Sequence, residues 1–312
     1  MKRLPFFLSM ESCPRRCIYC HQGEITGTLR APSPSDVERA VFSLKEETEI
    51  CFFGGSFTCL PRARQKQYLN SLLKAPPGST VRLSTHPQCI NGQVLDFLSA
   101  WPVSMIELGI SSLDDRVLSI CNRGYGCGEA LSALEMILDR GFRGGAQMMI
   151  GLPGQSEESS MDDLRRIASA AAGRPVTLRI YPCLVLKGTA LEKMFEEGDY
   201  SPLDIGRAVA WSARLLALSR ELAIPVQRIG LHESDSLGGS AVAGPHHPAF
   251  GELVRSEALV RTLASESITG PWTVPARSAS LITGHGGYGL GRLARETGLE
   301  PGEARRRVSF AG

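Results

Sequence analysis

Three cysteines crowd into the run Cys13-Pro-Arg-Arg-Cys17-Ile-Tyr-Cys20, a C-x3-C-x2-C pattern. Any fold this chain adopts must seat that loop where its thiols find a metal or a protected environment. The chain holds nine cysteines. An odd number with three packed together does not read as a disulfide framework. Three thiolates on one loop can ligate three irons of a cubane and leave the fourth iron free for an outside ligand. The alternatives are a Cys3His zinc site completed by His21, or buried free thiols. Structural zinc draws ligand pairs from separate turns, and no second C-x2-C or H-x3-H lies nearby. His21 directly adjoins Cys20, an awkward place from which to complete a tetrahedron. Cys51, Cys59, Cys89, Cys121, Cys127 and Cys183 form no second motif and are expected as core or strand-end thiols.

Around this loop, short apolar runs alternate with helix-like segments. Strands are expected at residues 3–9, 49–53, 80–84, 105–110, 146–150 and 176–181. Helices are expected at 35–45, 62–73, 94–98, 114–121, 129–139 and 161–171. Strands separated by helical stretches argue for βα repeats on a parallel sheet. Right-handed crossovers would curl six units into a partial (β/α)6 TIM-like barrel of the α/β class. Three divisions are expected: a core barrel over 1–200, a completing helix, strand and mouth loop over 201–255, and a small C-terminal extension over 256–312. Ser201-Pro202 is expected to open an amphipathic helix with Ala208, Trp211, Leu215, Leu218 and Leu222 on one face. Residues 226–231 are a candidate further strand.

Composition excludes little, but it is useful. The formal net charge is +2 over 312 residues, so no global basic field points to nucleic acid. No apolar run reaches the ~18–20 residues that span a bilayer. The short apolar stretch near the N-terminus gives way at once to Glu11 and the cysteines, unlike a secretory leader. The expected location is therefore cytoplasmic, with no membrane partner.

Motifs fall at the ends of the expected strands. The second ends in Phe52-Phe53-Gly54-Gly55-Ser56-Phe57-Thr58, the third in Ser84-Thr85-His86-Pro87. The fourth ends in Glu107-Leu-Gly109-Ile-Ser111-Ser112, and Asn122-Arg123-Gly124 follows between two helices. The fifth carries Gln147 and ends in Gly151-Leu-Pro-Gly154. The sixth carries Arg179-Ile-Tyr181-Pro182, with Lys187-Gly188-Thr189 beyond it. Paired glycines let a backbone approach a ligand closely. The C-terminal edge of such a sheet is where chemistry is normally placed.

Taken together, the cysteine loop after a first strand and these runs resemble the radical S-adenosylmethionine (SAM) superfamily. Within it they resemble the Elongator-catalytic-subunit-like branch and are also similar to oxygen-independent coproporphyrinogen oxidase. That resemblance implies an enzyme. Cys13, Cys17 and Cys20 would hold a [4Fe–4S] cluster, and SAM would chelate the open iron and be cleaved to a 5′-deoxyadenosyl radical. Gly54 and Gly55 would receive the SAM amino group; Ser56-Phe57 stands where the family usually has Glu-Pro. Ser84 and Ser111 would lie near the ribose and methionyl parts, and Arg123 would pair with the SAM carboxylate. Gln147 occupies a position where the oxidase carries an acid, and the Gly151–Gly154 turn is a candidate adenine contact. Tyr181 and Lys187 would face the cavity on the substrate side. An electron donor such as a flavodoxin or ferredoxin is implied, and a tRNA-type substrate follows from the branch. The compact cysteine loop and the absence of an acetyltransferase-sized region depart from the Elongator subunit. A radical SAM reaction on a small molecule or peptide, and a non-enzymatic zinc- or cluster-binding interaction module, therefore stay open.

For several residues a plain structural role competes. Glu107 at a strand end can salt-bridge within the barrel, and Lys187 can be a solvated loop lysine. His246 and His247 sit in a Pro/Gly loop, and His232 and Glu233 follow the last expected strand; all four are candidates for the barrel mouth. From Arg277 onward there are six arginines and three acids. Arg305–Arg307 could meet RNA phosphate, although so small an excess suits an ordinary solvated tail.

Overall fold

The computed structural model describes residues 2–312 except Met10, Leu29 and Glu233. Its centre is one seven-stranded sheet whose strands lie side by side in chain order. The strands are β1 (Lys2–Phe7), β2 (Thr48–Phe53), β3 (Thr80–Thr85), β4 (Val103–Ser111), β5 (Arg143–Ile150), β6 (Val176–Pro182) and β8 (Val226–Ile229). Every neighbouring pair is parallel. The sheet curves into an open half-barrel, so the expected partial TIM-like α/β fold is observed. The candidate strand after residue 226 is its far edge.

Between these strands run α1 (Gln22–Thr26), α2 (Pro34–Phe42), α3 (Arg62–Asn70), α4 (Gly92–Leu98), α5 (Asp115–Ile120), α6 (Cys127–Asp139), α7 (Glu157–Ala171), α8 (Ala190–Glu196) and α9 (Ile205–Glu221). Local chemistry sets their starts. Ser33 caps α2 in a reciprocal box with Asp36, with Pro34 in its first turn. Ser156 and Ser159 do the same for α7, which therefore begins four residues before the expected start. Helix α9 starts at Ile205, not at Ser201-Pro202, because the Asp204 side chain accepts from the Arg207 amide. Its face carrying Ala208, Trp211 and Leu215 is buried as expected.

The strands read as near-continuous apolar runs because both faces are covered. In β2, Ile50, Cys51 and Phe52 are all buried. Phe52 stacks on Phe6 of β1 and meets Phe57 and Tyr68 on the other side. A single large core joins the sheet to its helices.

Between β6 and α8 lies β7 (Val185–Leu186), which pairs antiparallel with β9 (Ala241–Ala243); after β8 come helix α10 (Asp235–Ser240), β9 and helix α11 (Phe250–Glu266), which packs on α9. Helix α11 runs through position 255, where a division was expected. The remaining chain is β10 (Trp272–Pro275), α12 (Ala279–Thr297), α13 (Pro301–Arg307) and β11 (Val308–Ala311). It builds a small core of its own around Trp272, Val274, Ile282 and Leu293. Helix α12 is interrupted at Gly284–Gly287, where His285 reaches the Glu252 carboxylate at 2.8 Å. No helix among the described residues is long and apolar enough to cross a membrane.

Candidate active site

Because the strands are parallel, their C-terminal ends collect on one edge of the half-barrel. The cysteine loop leaves β1 at that edge. It has no regular structure and is pinned by three hydrogen bonds, two with the turn after α5 and one with α8. The Ile18 amide donates to the Cys121 carbonyl at 3.4 Å, the Asn122 amide side chain donates to the Arg16 carbonyl at 3.0 Å, and the Leu191 amide donates to the Ile18 carbonyl at 2.9 Å. Beneath the loop a small apolar cluster of Tyr19, Val117, Cys121, Cys183, Leu191 and Tyr200 supports it.

The end of β2 is fitted to this loop atom by atom. Gly54 has φ +79°, which glycine adopts without steric cost. At Gly55 a Cβ would stand 2.2 Å from the Leu8 carbonyl oxygen and 3.0 Å from that of Glu11. Only glycine lets the two backbones approach so closely. The Ser56 amide donates to the Glu11 carbonyl at 3.3 Å, and Ser56 Oγ lies 3.4 Å from Cys13 Sγ.

Cys13, Cys17, Cys20, Gly54, Gly55, Ser56, Ser84, Ser111, Arg123, Gln147 and Tyr181 all line one cavity of ≈ 430 Å³. Arg123 is buried, not a surface helix residue. Its Nη1 donates to Cys17 Sγ at 2.9 Å and to Tyr19 Oη at 3.4 Å, and its Nη2 donates to the Gly109 carbonyl. Burial alone would lower this guanidinium; the Tyr19 and Tyr125 phenols and the Cys17 sulfur more than offset that and raise it. Ser111 has φ +62°, rare for a residue with a side chain, and its hydroxyl lies 2.8 Å from Tyr19 Oη. His86, next to Ser84 and Thr85, also lines the cavity. Its Nδ1 accepts from the Gln88 amide, so Nε2 carries the proton donated to the Arg123 carbonyl at 3.1 Å. Burial, with Arg123 close by, pushes it down to about 4, so the ring is neutral near pH 7.

The floor of the cavity is a buried ionic network. Glu107 accepts from Arg82 at 2.8 Å and from Arg179 at 3.0 Å, and Glu49 accepts from Arg82 and Arg3, each at 2.8 Å. Gln147 Nε2 donates to Ser84 Oγ and to Glu107 Oε2, both at 3.1 Å. Glu107 thus takes the salt-bridging alternative. The network was missed in the sequence, although a lone Arg82 inside a doubly buried strand signals that a carboxylate must be near.

Other expectations are not met. Lys187 is exposed and is not among the cavity's lining residues; it lies just beyond the two-residue strand β7, with its amide on the Ser240 carbonyl. The Gly151–Gly154 turn lines a different cleft of ≈ 700 Å³, formed with Tyr200, Arg207 and Trp211. That cleft holds none of the three motif cysteines. Cys59 and Cys89, expected as thiols, are joined in a disulfide with Cα atoms 5.1 Å apart. Each sits in a single helical turn following β2 or β3, and pairing of those strands brings the turns together. His232 lines the cavity, whereas Glu233 lies outside the described residues.

The donor set suits an iron–sulfur cluster. The thiols are soft ligands on one wall of a mainly apolar cavity, and burial pushes Cys20 up to about 12 and raises Cys13. Such thiols ionise when a metal replaces the proton. Among the described residues no three ligand side chains converge closely enough to hold one metal ion. A cubane does not need that, because each cysteine binds its own iron.

Comparison with known proteins agrees with this geometry. A sequence model of the radical SAM superfamily matches residues 7–167, and one of the radical SAM C-terminal domain matches residues 175–259. This chain is an enzyme of the radical SAM superfamily. Within it, the similarity is to the Elongator-like branch. A tRNA uridine(34) acetyltransferase of Methanocaldococcus infernus is 28% identical over 120 residues, covering 38% of this chain and 22% of that protein. Elongator complex protein 3 of Homo sapiens is 27% identical over 197 residues, covering 55% and 35%. The chain spans less than half the length of either relative. Among solved structures, Methanocaldococcus infernus Elp3 superposes with a TM-score of 0.64 at 19% identity, covering 84% of this chain and 63% of that one. Coproporphyrinogen III oxidase from Escherichia coli gives 0.55 at 17% identity, covering 71% and 53%. Family membership implies a [4Fe–4S] cluster, SAM and a reductant.

Proposed function

We propose that Cys13, Cys17 and Cys20 hold the cluster and that the chain uses SAM to modify tRNA by radical chemistry. The observation that carries this reading is the meeting of the three thiols, the Gly54-Gly55 strand end and a buried guanidinium in one cavity. When bound, the cluster supplies the electron that splits SAM into methionine and a 5′-deoxyadenosyl radical. The residues have distinct tasks. Gly54, Gly55 and Ser56 bring backbone and a hydroxyl against the cysteine loop, where the SAM amino group would be received. Arg123 offers a fixed guanidinium beside Cys17, suited to a carboxylate. Ser84 and Gln147, held by Glu107, present polar groups to the ribose and methionyl parts, with Ser111 at the end of the strand between them. Tyr181 faces the substrate side. The apolar walls keep water from a reactive intermediate. The electron donor is proposed to be a flavodoxin or ferredoxin.

The tRNA assignment rests on the named activity of the relatives, and mass spectrometry tests it. Nucleosides from tRNA of cells with and without the gene should differ by one modification, which returns on complementation. Identical nucleoside profiles with a changed metabolite or peptide would instead support the small-molecule reading.

A further inference from the structure

The cavity is lined by Arg3, Arg15, Arg16, Arg123, Arg179 and Arg228, and among the described residues it is lined by no aspartate or glutamate. The carboxylates that do approach it lie beneath its floor and are already shared. Glu49 and Glu107 between them serve Arg3, Arg82 and Arg179. Arg228, at the end of β8, has no carboxylate among its described partners. Its Nε donates to the Gly230 carbonyl at 3.1 Å, its Nη2 donates to the Leu231 carbonyl at 3.0 Å, and His232 Nδ1 stands 3.5 Å away. Among the described residues the guanidinium is held by neutral acceptors, none of them on Nη1.

The backbone aims it there. In the ladder between β6 and β8, Val226 pairs with Leu178 and Arg228 pairs with Arg179, so Gln227 is an extra residue. Gln227 turns to the floor and accepts from Arg82, while Arg228 lines the cavity above it. Bulges of this kind re-aim a side chain at a functional edge. Arg228 thus stands on the β6–β8 wall with Arg179 and Tyr181, whereas the cysteine loop follows β1.

Charge balance then asks for an anion. A thiolate-ligated cubane is weakly anionic and SAM weakly cationic, so the two largely cancel. Arg3, Arg15 and Arg16 are exposed to solvent, and Arg3 and Arg179 are already paired with Glu49 and Glu107, so the guanidinium left without a counter-charge while partly withdrawn from water is that of Arg228, where such an imbalance is costly. We propose that Arg228, with Tyr181 beside it, is the subsite for an oxyanion of the substrate, a phosphate or a carboxylate. Burial disfavours the charge on Arg228, Tyr181 favours it, and the Arg179 guanidinium disfavours it further, the condition an arriving anion would relieve.

The inference rests on the function proposed above, and its test separates the two. The reconstituted holoprotein with SAM is titrated, by ligand-observed NMR, with two matched pairs: uridine 5′-monophosphate against uridine, and succinate against succinamide. At least one anion should bind about tenfold more tightly than its neutral partner, the value of a charge-assisted hydrogen bond. Which pair shows it tells phosphate from carboxylate. Arg228→Gln should erase that preference, and Arg228→Lys should keep most of it. A purely structural arginine would lower the affinity of charged and neutral probes alike and leave their ratio unchanged. A preference that survives R228Q, or no preference in the wild-type protein, overturns the subsite. Cluster loading and SAM cleavage by the wild-type protein report separately on the underlying reading.

Discussion

Cys17→Ala is expected to abolish cluster assembly. Anaerobically reconstituted variant should retain less than about a tenth of the wild-type iron and sulfide, because a cubane held by two thiolates exchanges its irons into solution. Of the three cysteines, Cys17 is the one that Arg123 contacts, at 2.9 Å. Cys121 and Cys183 are buried in the apolar cluster beneath the loop, and Cys51, which lines the same cavity, is fixed within β2 with its thiol against Glu49. The fold should survive, since the core of the half-barrel lies elsewhere. Iron analysis with circular dichroism checks both parts. A variant that kept its cluster and cleaved SAM at the wild-type rate would contradict the ligand assignment.

Glu107→Gln should have the largest effect on stability. Glu107 is 1% exposed and neutralises Arg82, which is equally buried, together with Arg179. Glutamine keeps the shape but removes the charge and turns an acceptor into a donor facing two guanidiniums. Breaking a buried pair in this way typically costs about 3–5 kcal/mol. Urea unfolding should show a midpoint shift of that size with little change in slope. A loss below about 1 kcal/mol would mean that water or another anion already compensates Arg82. The same substitution removes the acceptor that holds Gln147 and Ser84 at the cavity wall, so SAM affinity should fall as well.

Much of this could be read from the residues. Strand positions followed from apolar runs closed by Gly, Pro and Ser, and these marks also located the functional edge. The three cysteines and Gly54-Gly55 were legible because each is a chemical oddity in its place, whereas Arg123 was reached only through the family resemblance. Starts of helices were less so: Ser156 and Asp204 are capping residues, but each competes with nearby Ser, Pro and Asp residues that look as good locally. Long-range pairings were not legible at all. Cys59 with Cys89, and Arg82 with Glu49 and Glu107, depend on which strands lie side by side. Lys187 shows the limit of resemblance: a motif can match while a two-residue strand turns its side chain to solvent. Arg228 was invisible because a single-residue bulge in β8 decides where it points.

The central claim is that the three N-terminal thiolates hold a cluster with a vacant iron that SAM can occupy. The most direct measurement is on protein reconstituted without air, then given dithionite and SAM. The account predicts iron and sulfide in equal amounts, about four of each per chain, with methionine and 5′-deoxyadenosine formed together. A colourless protein that binds zinc and leaves SAM intact would contradict it.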